Sequence, residues 1–224
     1  MAKAVFVTGE RQIDIPDGVA DFDSFRRWLH SGDFPEKGRV CYINGTIWAD
    51  LSVEAFFDHG QVKAEIGAVL HLLVKNSRFG RFAPDGTRYS HPDTQLSTEP
   101  DGMVISTGAF AERRVELVSG SKGGNTEVVG VPDIVIEIVS PSSVDKDTEW
   151  LTAAYHDIGI PEYWLIDARD EDDIRFDIYR HGKAGYKASR KQDSWVKSPA
   201  LSKSFRLVQV EDESGNPEFT LEVR

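Results

Sequence analysis

The feature that most constrains this chain is a strand–helix–strand pattern within residues 131–168. It begins with VPDIVIEIV, a run of branched apolar side chains typical of a strand that is buried on both faces of a sheet. SPSS ends that strand, and Ser143 or Asp145 can cap a helix that runs to about Ile158 and ends at Gly159. EYWLIDA follows as a second buried strand. The pattern predicts two parallel strands joined by a right-handed helical crossover, and therefore a fold of the α/β class.

One acid interrupts the first of these strands. Glu137 stands among branched apolar residues, where an unpaired carboxylate costs several kcal/mol unless a metal ion, a cation or hydrogen bonds compensate it. A second acid, Asp101, enters a predicted strand at about residues 102–106. If the two strands are neighbours, about 4.8 Å apart, both carboxylates can converge on one Mg²⁺ or Mn²⁺ ion. Asp133 lies roughly 13 Å along the strand from Glu137, so we interpret it as a turn residue at the strand entry.

Hydrolysis of a phosphodiester also requires a cation near the attacking water or the developing negative charge. Lys146, at the first turn of the predicted helix, is the candidate. Each residue of this set has a structural alternative. Lys146 can be an exposed lysine at a helix end, Asp101 can be a turn residue, and Glu137 can be held by hydrogen bonds without any function.

Other elements are predicted from local patterns. VCYINGTIWADLS predicts a β-hairpin, because the Asn-Gly pair at residues 44–45 fits a type I′ turn. Apolar residues then recur at spacings of three and four, which predicts one long amphipathic helix over residues 53–78 with Ser52 as its N-cap. A second hairpin turns between residues 120 and 125, and antiparallel strands with Gly-rich turns follow from Ile174.

The charge of the chain limits its partners. Lys and Arg number 26 and Asp and Glu number 37, so the formal net charge is −11. Because affinity for nucleic acid comes mainly from neutralised phosphates, this balance argues against a nonspecific nucleic-acid coat protein. Residues 183–206 are different, with seven basic side chains against Asp193 alone. Together with Tyr186, Trp195 and Phe205, this segment is either a nucleic-acid surface or the solvated face of an edge sheet.

Length and composition predict one domain. The chain has 224 residues, 40% of them hydrophobic, and we expect a single domain over residues 1–224 with a core at about 40–170 and antiparallel strands over 171–224. Cys41 is the only cysteine, and the sequence start shows no signal-peptide pattern, so we expect a cytoplasmic protein without a disulfide. The longest helical apolar stretch, IGAVLHLLV, is too short to cross a membrane.

The block PDIVIEIVSPSS, followed by DT and then YHDIGIPEYWLID, resembles the Uma family of putative restriction endonucleases, which belongs to the PD-(D/E)XK nuclease superfamily. The resemblance is close over residues 95–168 and weaker from about residue 42 to the end. It implies a restriction-endonuclease-like fold of the α/β (α+β) type, in which helices flank a mixed β-sheet core and extra antiparallel hairpins lie in the N- and C-terminal parts. It also implies a metal-dependent endonuclease in which Asp101 of EPD and Glu137 of IEI bind Mg²⁺ or Mn²⁺.

The resemblance adds two residues and leaves one position unfilled. His59, in FFDHGQVKAEI, resembles a histidine at the start of the family's long helix, and Glu65 follows six residues later. That spacing puts the two on different helix faces, so at most one of them should point at the metal. The superfamily places a lysine where this chain has Val139, or in relatives where it has Leu151. Lys146 can replace that lysine, because its long flexible side chain can reach the same point from a nearby backbone position.

These observations support a leading hypothesis and a rival. The leading hypothesis is a metal-dependent endonuclease that hydrolyses DNA and assembles as a homodimer, because a two-fold dimer suits the cutting of both strands. The rival is a catalytically degenerate relative that acts as a binding or assembly module, which the missing lysines and the acidic charge favour. A glycosidase with two carboxylates is a third possibility, and the buried strand around Glu137 argues against it.

Overall fold

The structure is a computed structural model that describes residues 4–8, 13–35, 37–120, 123–170 and 172–224. Its α-helices are α1 (Phe22–Leu29), α2 (Val62–Asn76), α3 (Thr107–Ala111) and α4 (Leu151–Ile158). A π-helical turn, Phe56–Gln61, leads into α2, and a second one, Lys146–Trp150, leads into α4. A short 3₁₀ turn spans Pro92–Thr94.

The strands form three sheets. They are β1 (Ala4–Thr8), β2 (Arg39–Ile43), β3 (Thr46–Asp50), β4 (Gly80–Pro84), β5 (Arg88–His91), β6 (Leu96–Thr98), β7 (Gly102–Ser106), β8 (Val115–Ser119), β9 (Asn125–Gly130), β10 (Ile134–Ile138), β11 (Glu162–Asp167), β12 (Arg175–Arg180), β13 (Lys187–Ala188), β14 (Lys191–Gln192), β15 (Trp195–Ser198), β16 (Lys203–Glu211) and β17 (Pro217–Val223). The N-terminal sheet has the order β1-β3-β2-β6-β5-β9-β8, the central sheet β13-β12-β11-β10-β7-β4, and the C-terminal sheet β14-β15-β16-β17.

The central sheet contains the predicted crossover. Strands β10 and β11 are parallel, with α4 between them in sequence, whereas the other pairs of this sheet are antiparallel. All five residues of β10 are buried, as expected for a strand that is covered on both faces. Gly159 ends α4 in a left-handed conformation, with φ 87°, as its sequence position predicted. The parallel pair and its helix are therefore confirmed.

The two faces of the central sheet pack against different layers. On one face, Val135 and Val139 share a core with Tyr155 of α4 and with residues of the N-terminal sheet such as Trp48. On the other face, the alternate residues Ile134, Ile136 and Ile138 pack with α2 and with the C-terminal sheet. Because side chains alternate along a strand, Glu137 faces the layer of α4 and the N-terminal sheet. The result is the mixed sheet, flanked by helices and extended by antiparallel hairpins, that the sequence predicted.

The N-terminal part adds two predicted elements and one unpredicted element. Strands β2 and β3 form the expected hairpin, and Asn44 and Gly45 have φ values of 45° and 85°, as a type I′ turn requires. The second expected hairpin is β8 and β9, although residues 121–122 of its turn lie outside the described residues. Helix α1, which the sequence patterns did not predict, begins with a capping box between Asp21 and Ser24.

The starts of the two long helices differ from the predictions. Ser52 does not cap the first helix, because helical structure begins at Phe56 after Ala55. Neither Ser143 nor Asp145 caps the second helix: Asp145 makes no side-chain capping bond, and the Ser143 hydroxyl donates to a carboxylate instead. Within the described residues, no helix is long and apolar enough to cross a membrane.

Candidate active site

The structure brings the two predicted acids together. Antiparallel pairing of β7 with β10 places Gly102 opposite Ile136, so Asp101 lies opposite Glu137 at the next position of the same register. Directly opposed residues of antiparallel strands point to the same face. The backbone N–H of Ile138 donates to Asp101 Oδ2 over 2.8 Å, which ties the Asp101 carboxylate to the strand that carries Glu137. Both acids are buried.

Asp101 is surrounded by cationic groups. Its Oδ1 lies 3.1 Å from Arg39 Nη2 and 3.8 Å from Lys63 Nζ, and its Oδ2 lies 3.6 Å from His59 Nε2. Burial by itself raises the pKa of Asp101, but the adjacent His59 ring and the positive charges of Arg39 and Lys63 outweigh it and hold the pKa well below its usual range. Asp101 is therefore ionised at neutral pH.

Glu137 has a different environment. The Tyr155 hydroxyl donates to its Oε1 over 2.6 Å, and Lys146 Nζ lies 3.6 Å from its Oε2. That Oε2 is buried and has no hydrogen-bond partner among the described residues. Burial raises the pKa of Glu137 to about 8. The positive charge of Lys146 opposes this rise, and the negative charges of Asp147 and Asp101 add to it. An added cation next to Oε2 would satisfy this buried oxygen.

Lys146 is a buried side chain, which excludes the alternative of an exposed helix-end lysine. It is only 3% exposed, forms an ion pair of 2.8 Å with Asp147 Oδ1, and lies 5.0 Å from the centre of the Trp48 ring. The other oxygen of Asp147 accepts a hydrogen bond of 2.5 Å from Ser143. Burial by itself lowers the pKa of Lys146, but Asp147 and Glu137 raise it above its usual range, so Lys146 is charged.

His59 completes the set of charged groups on the Asp101 side. We define the acid cluster as Asp101 and Glu137 with the charged residues around them: Arg39, Glu54, His59, Lys63, Asp85, Lys146 and Asp147. Its Nδ1 lies 2.5 Å from Glu54 Oε1, and its Nε2, which faces Asp101, has no hydrogen-bond partner among the described residues. Lys63, one helical turn further on, bonds both Glu54 and Asp85. His59 is 3% exposed, so its ring is held in place between the carboxylates of Glu54 and Asp101.

Both π-helical turns carry a residue of this cluster. His59 lies in the turn that leads into α2, and Lys146 is the first residue of the turn that leads into α4. Such wide turns are rare and often occur at functional sites, because the extra residue changes the direction of neighbouring side chains. Here they direct one cationic side chain toward each of the two acids, Asp101 and Glu137.

Two acids lie outside the cluster. Glu65 Oε1 accepts the backbone N–H of Leu221 in β17 over 2.8 Å, so this side chain serves the contact between α2 and the C-terminal sheet. This placement corrects the suggestion that Glu65 orients the site and leaves His59 as the helix residue that points at the acids. Asp133 accepts hydrogen bonds from the Ser106 backbone and from Arg114, which fits its interpretation as a residue of the strand entry.

Five residues of the cluster were not found from the sequence. Two of them had a local signal: Lys63 stands four residues after His59 on one helix face, and Asp147 is adjacent to Lys146. The remaining members had none, because Arg39, Glu54 and Asp85 come from separate segments that only the fold brings together. A cleft of about 370 Å³ opens onto this side of the cluster.

The cluster fits one class of metal ion. Among the described residues, no group of three or more His, Cys, Asp or Glu side chains could enclose a metal ion. A closed zinc site needs such a group, whereas Mg²⁺ is commonly held by one or two carboxylates and keeps several waters. Asp101 and Glu137, which are opposed in register and include one unsatisfied buried oxygen, fit an ion of the second type.

Comparison with known proteins identifies the family of this chain. The family model described as Uma2, putative restriction endonuclease, matches residues 22–210. The chain belongs to this family. A search of curated proteins found no match. Among solved structures, the chain is similar to a putative nuclease belonging to DUF820 from Anabaena variabilis, with 22% identity, a TM-score of 0.60, and coverage of 81% of this chain and 90% of that chain. That likeness supports the restriction-endonuclease-like fold.

Proposed function

We propose that this chain is a metal-dependent endonuclease that hydrolyses phosphodiester bonds of DNA, with Asp101 and Glu137 as the ligands of Mg²⁺ or Mn²⁺. The observation that carries the proposal is the pair of buried carboxylates on neighbouring strands. Lys146 Nζ lies 3.6 Å from Glu137 Oε2, and that oxygen has no hydrogen-bond partner among the described residues. Buried polar atoms usually have a hydrogen-bond partner, so this unsatisfied oxygen supports a role in ligand binding. Membership of a family described as restriction endonucleases supports the same reaction class.

The chain's own residues prepare the site in three ways. Arg39 and His59 keep Asp101 ionised, Tyr155 orients the Glu137 carboxylate, and Lys146 supplies positive charge next to it. When bound, a divalent ion supplies an acidified water and polarises the phosphate. Lys146 would stabilise the negative charge that develops on the phosphate during attack, which is the role that the missing superfamily lysine would have.

DNA as substrate and two-fold assembly are part of this proposal. The family description supports DNA, and a symmetric dimer would place one site on each strand of a duplex. The net charge of −11 disfavours nonspecific coating of DNA, so we expect binding through local positive surfaces. Residence in the cytoplasm stays a prediction from the single cysteine.

A plasmid-cleavage assay tests the proposal. Purified wild-type protein is incubated with supercoiled plasmid and with short single- and double-stranded DNA in Mg²⁺ or Mn²⁺, beside Glu137→Gln. Glutamine keeps the shape of the side chain and can still accept the Tyr155 hydrogen bond, but it lacks the charge. We expect cleavage by the wild type and a loss of about 100- to 1,000-fold in the variant.

Glu65→Gln is the matched control for this assay. It makes the same chemical change on a residue that contacts the C-terminal sheet instead of the acid cluster. Cleavage should persist in Glu65→Gln. Equal cleavage by wild type and Glu137→Gln would contradict the proposal, because the activity would then belong to another site or to a contaminating nuclease.

The rival proposal is a binding or assembly module that does not cut DNA. One observation favours it: Lys146 Nζ is closer to Asp147, at 2.8 Å, than to Glu137, at 3.6 Å, so its charge is already partly neutralised. Arg39 likewise neutralises Asp101. In the same assay this module would bind DNA or metal ions, and the wild-type protein would cleave none of the substrates with either ion.

A further inference from the structure

A row of basic side chains crosses the outer face of the C-terminal sheet. Lys197 of β15 lies opposite Ser204 of β16, and Ser204 exchanges both backbone hydrogen bonds with Arg224, each 3.0 Å long. Arg190 precedes β14 and extends the same row, because its neighbour Lys191 pairs with Val196. The row spans roughly 14 Å across four strands. We define the basic row as Arg190, Lys197 and Arg224.

The basic row faces solvent and is not neutralised. Val196 and Phe205, which alternate with its positions, are buried beneath the sheet, and all three basic residues are exposed. None of the three forms an ion pair with a described residue, whereas the nearby Lys191 pairs with Asp177 and Arg206 with Glu222. Like charges on neighbouring strands destabilise a sheet. An anionic ligand would relieve that repulsion.

An aromatic ring lies beside the row. Trp195 is flanked by Arg224 at 4.2 Å and Arg206 at 5.0 Å from its ring, so cation–π contacts hold the guanidinium groups in place. The basic row and Trp195 line a cleft of about 540 Å³ that Arg180 also borders. No acidic side chain lines this cleft among the described residues, although the whole chain carries a charge of −11.

We infer that the basic row binds the sugar–phosphate backbone of DNA at a place separate from the acid cluster. Exposed arginine and lysine are the groups that neutralise phosphates, and the described residues that line this cleft include no acid. The guanidinium planes beside Trp195 suit backbone contacts that carry no sequence information. From the sequence alone, this segment was interpreted as either a nucleic-acid surface or the solvated face of an edge sheet. The inference rests on the proposed function only in taking DNA as the ligand.

The basic row is remote from the reaction. The buried side of the C-terminal sheet packs on the face of the central sheet that carries Ile136, whereas Glu137 points to the opposite face. The two sites also lie at different positions along β11. Arg180, which borders the cleft of the basic row, pairs with Glu162 at the start of that strand, whereas Glu137 pairs with Leu165 further along it. The row therefore acts as an anchor, and its removal should lower DNA affinity without changing the chemical step.

A salt-dependent binding experiment tests the inference. A fluorescein-labelled duplex of mixed sequence is titrated in EDTA with the whole protein, as wild type and as the double variant Arg190→Gln with Lys197→Gln, at several salt concentrations. We expect the variant to bind about tenfold or more weakly, and the slope of log affinity against log salt to fall by about 2, since each phosphate contact contributes about 0.9.

The control removes the same charge elsewhere. Arg27→Gln with Lys75→Gln changes two exposed residues of α1 and α2 and should leave the affinity and the slope at wild-type values. Equal affinity and slope for the row variant and the wild type, or no DNA binding by the wild type, would overturn the inference. Vesicles of phosphatidylserine and phosphatidylcholine provide the last arm: binding to vesicles through the row without DNA binding would also overturn it.

Cleavage assays separate this inference from the proposed function. If Glu137→Gln abolishes cleavage while the row variant binds DNA like the wild type, the nuclease proposal stands and the basic row has no role in binding. If the row variant loses DNA binding and no protein cleaves DNA, the basic row is a DNA contact of a chain that does not cut.

Discussion

The acid cluster and the basic row both concentrate charge, but the two acids of the cluster are buried and the residues of the row are exposed. In the acid cluster, the buried charges are matched: Asp101 by Arg39, and Asp147 by Lys146. In the basic row, the charges are exposed and unmatched, and they repel one another. The buried cluster contributes to folding, and removing one of its partners leaves another charge without compensation. The basic row forms no ion pair with the described residues, and its proposed role is to bind a ligand.

This difference predicts where substitutions act. A change in the acid cluster should alter stability and chemistry together, because its residues are both core and site. A change in the basic row should alter ligand binding alone. Substitutions in the two regions can therefore be compared by their effects on stability.

Replacing Lys146 should have the largest effect on stability. Lys146→Met keeps an unbranched side chain of similar length but leaves the carboxylates of Glu137 and Asp147 without their cation. We expect a loss of about 3–5 kcal/mol in the free energy of unfolding, measured by urea denaturation. Lys197→Gln is the comparison and should change the free energy by less than about 0.5 kcal/mol. Similar small losses of unfolding free energy in both variants would contradict the expected difference between the acid cluster and the basic row.

Stability should depend on pH through Glu137. Burial raises its pKa from 4.5 to about 8, so between about pH 5 and 8 the folded protein holds a proton that the unfolded chain releases. The free energy of unfolding of the metal-free wild type should therefore decrease as pH rises through this range. Glu137→Gln cannot titrate, so its decrease should be shallower by up to about 1.4 kcal/mol per pH unit. Parallel pH profiles of the two proteins, by urea denaturation, would contradict this assignment.

The Tyr155 hydroxyl should have a smaller effect. Tyr155→Phe removes the donor to Glu137 Oε1 and leaves both oxygens of that buried carboxylate without a hydrogen bond. We expect a loss of about 1–3 kcal/mol in the free energy of unfolding. Tyr186→Phe removes a tyrosine hydroxyl bond to the Ile160 carbonyl, away from any charge, and should cost about 1 kcal/mol. A smaller loss for Tyr155→Phe than for Tyr186→Phe would mean that Glu137 does not depend on this bond.

Relief of repulsion in the basic row should have the smallest effect. Arg190→Gln with Lys197→Gln should raise the melting temperature by about 1 °C or leave it unchanged, because like charges across strands are destabilising. Differential scanning calorimetry without DNA measures this shift. A clear decrease in melting temperature would show that these side chains stabilise the sheet and would remove the reason to assign them to a ligand.

The fold could be predicted where short patterns determine local structure. The buried run around Glu137, the glycine that ends α4, and the Asn-Gly pair at residues 44–45 each allow one local conformation, and the structure has it. The convergence of Asp101 and Glu137 was expected only on the condition that their strands are neighbours, and the pairing of β7 with β10 meets that condition. Helix α1 was not predicted, although the sequence carries its signal: a capping box from Asp21 to Ser24 and a buried apolar face of Phe22, Phe25 and Trp28.

The site could be predicted only in part. Asp101 and Glu137 were singled out because each is placed where a strand would not need an acid and each matches a family motif, whereas Lys146 was suggested by its position at the first turn of the predicted helix and as a substitute for the missing lysine. Arg39 and Asp85 lie on segments far apart in the sequence and have ordinary surroundings there, so nothing local indicates that they meet. The helix starts were predicted wrongly because an ordinary cap was expected where the chain forms a π-helical turn, a geometry without a simple residue pattern.

Direct measurement of metal binding tests the central claim that Asp101 and Glu137 form a divalent-metal site. Mn²⁺ is titrated into metal-free protein, and free Mn²⁺ is followed by its electron paramagnetic resonance signal, for wild type, Glu137→Gln and the control Glu65→Gln. We expect one bound Mn²⁺ ion per chain in wild type and Glu65→Gln, and at least about tenfold weaker Mn²⁺ binding in Glu137→Gln. Equal binding by all three proteins, or no binding by the wild type, would contradict it.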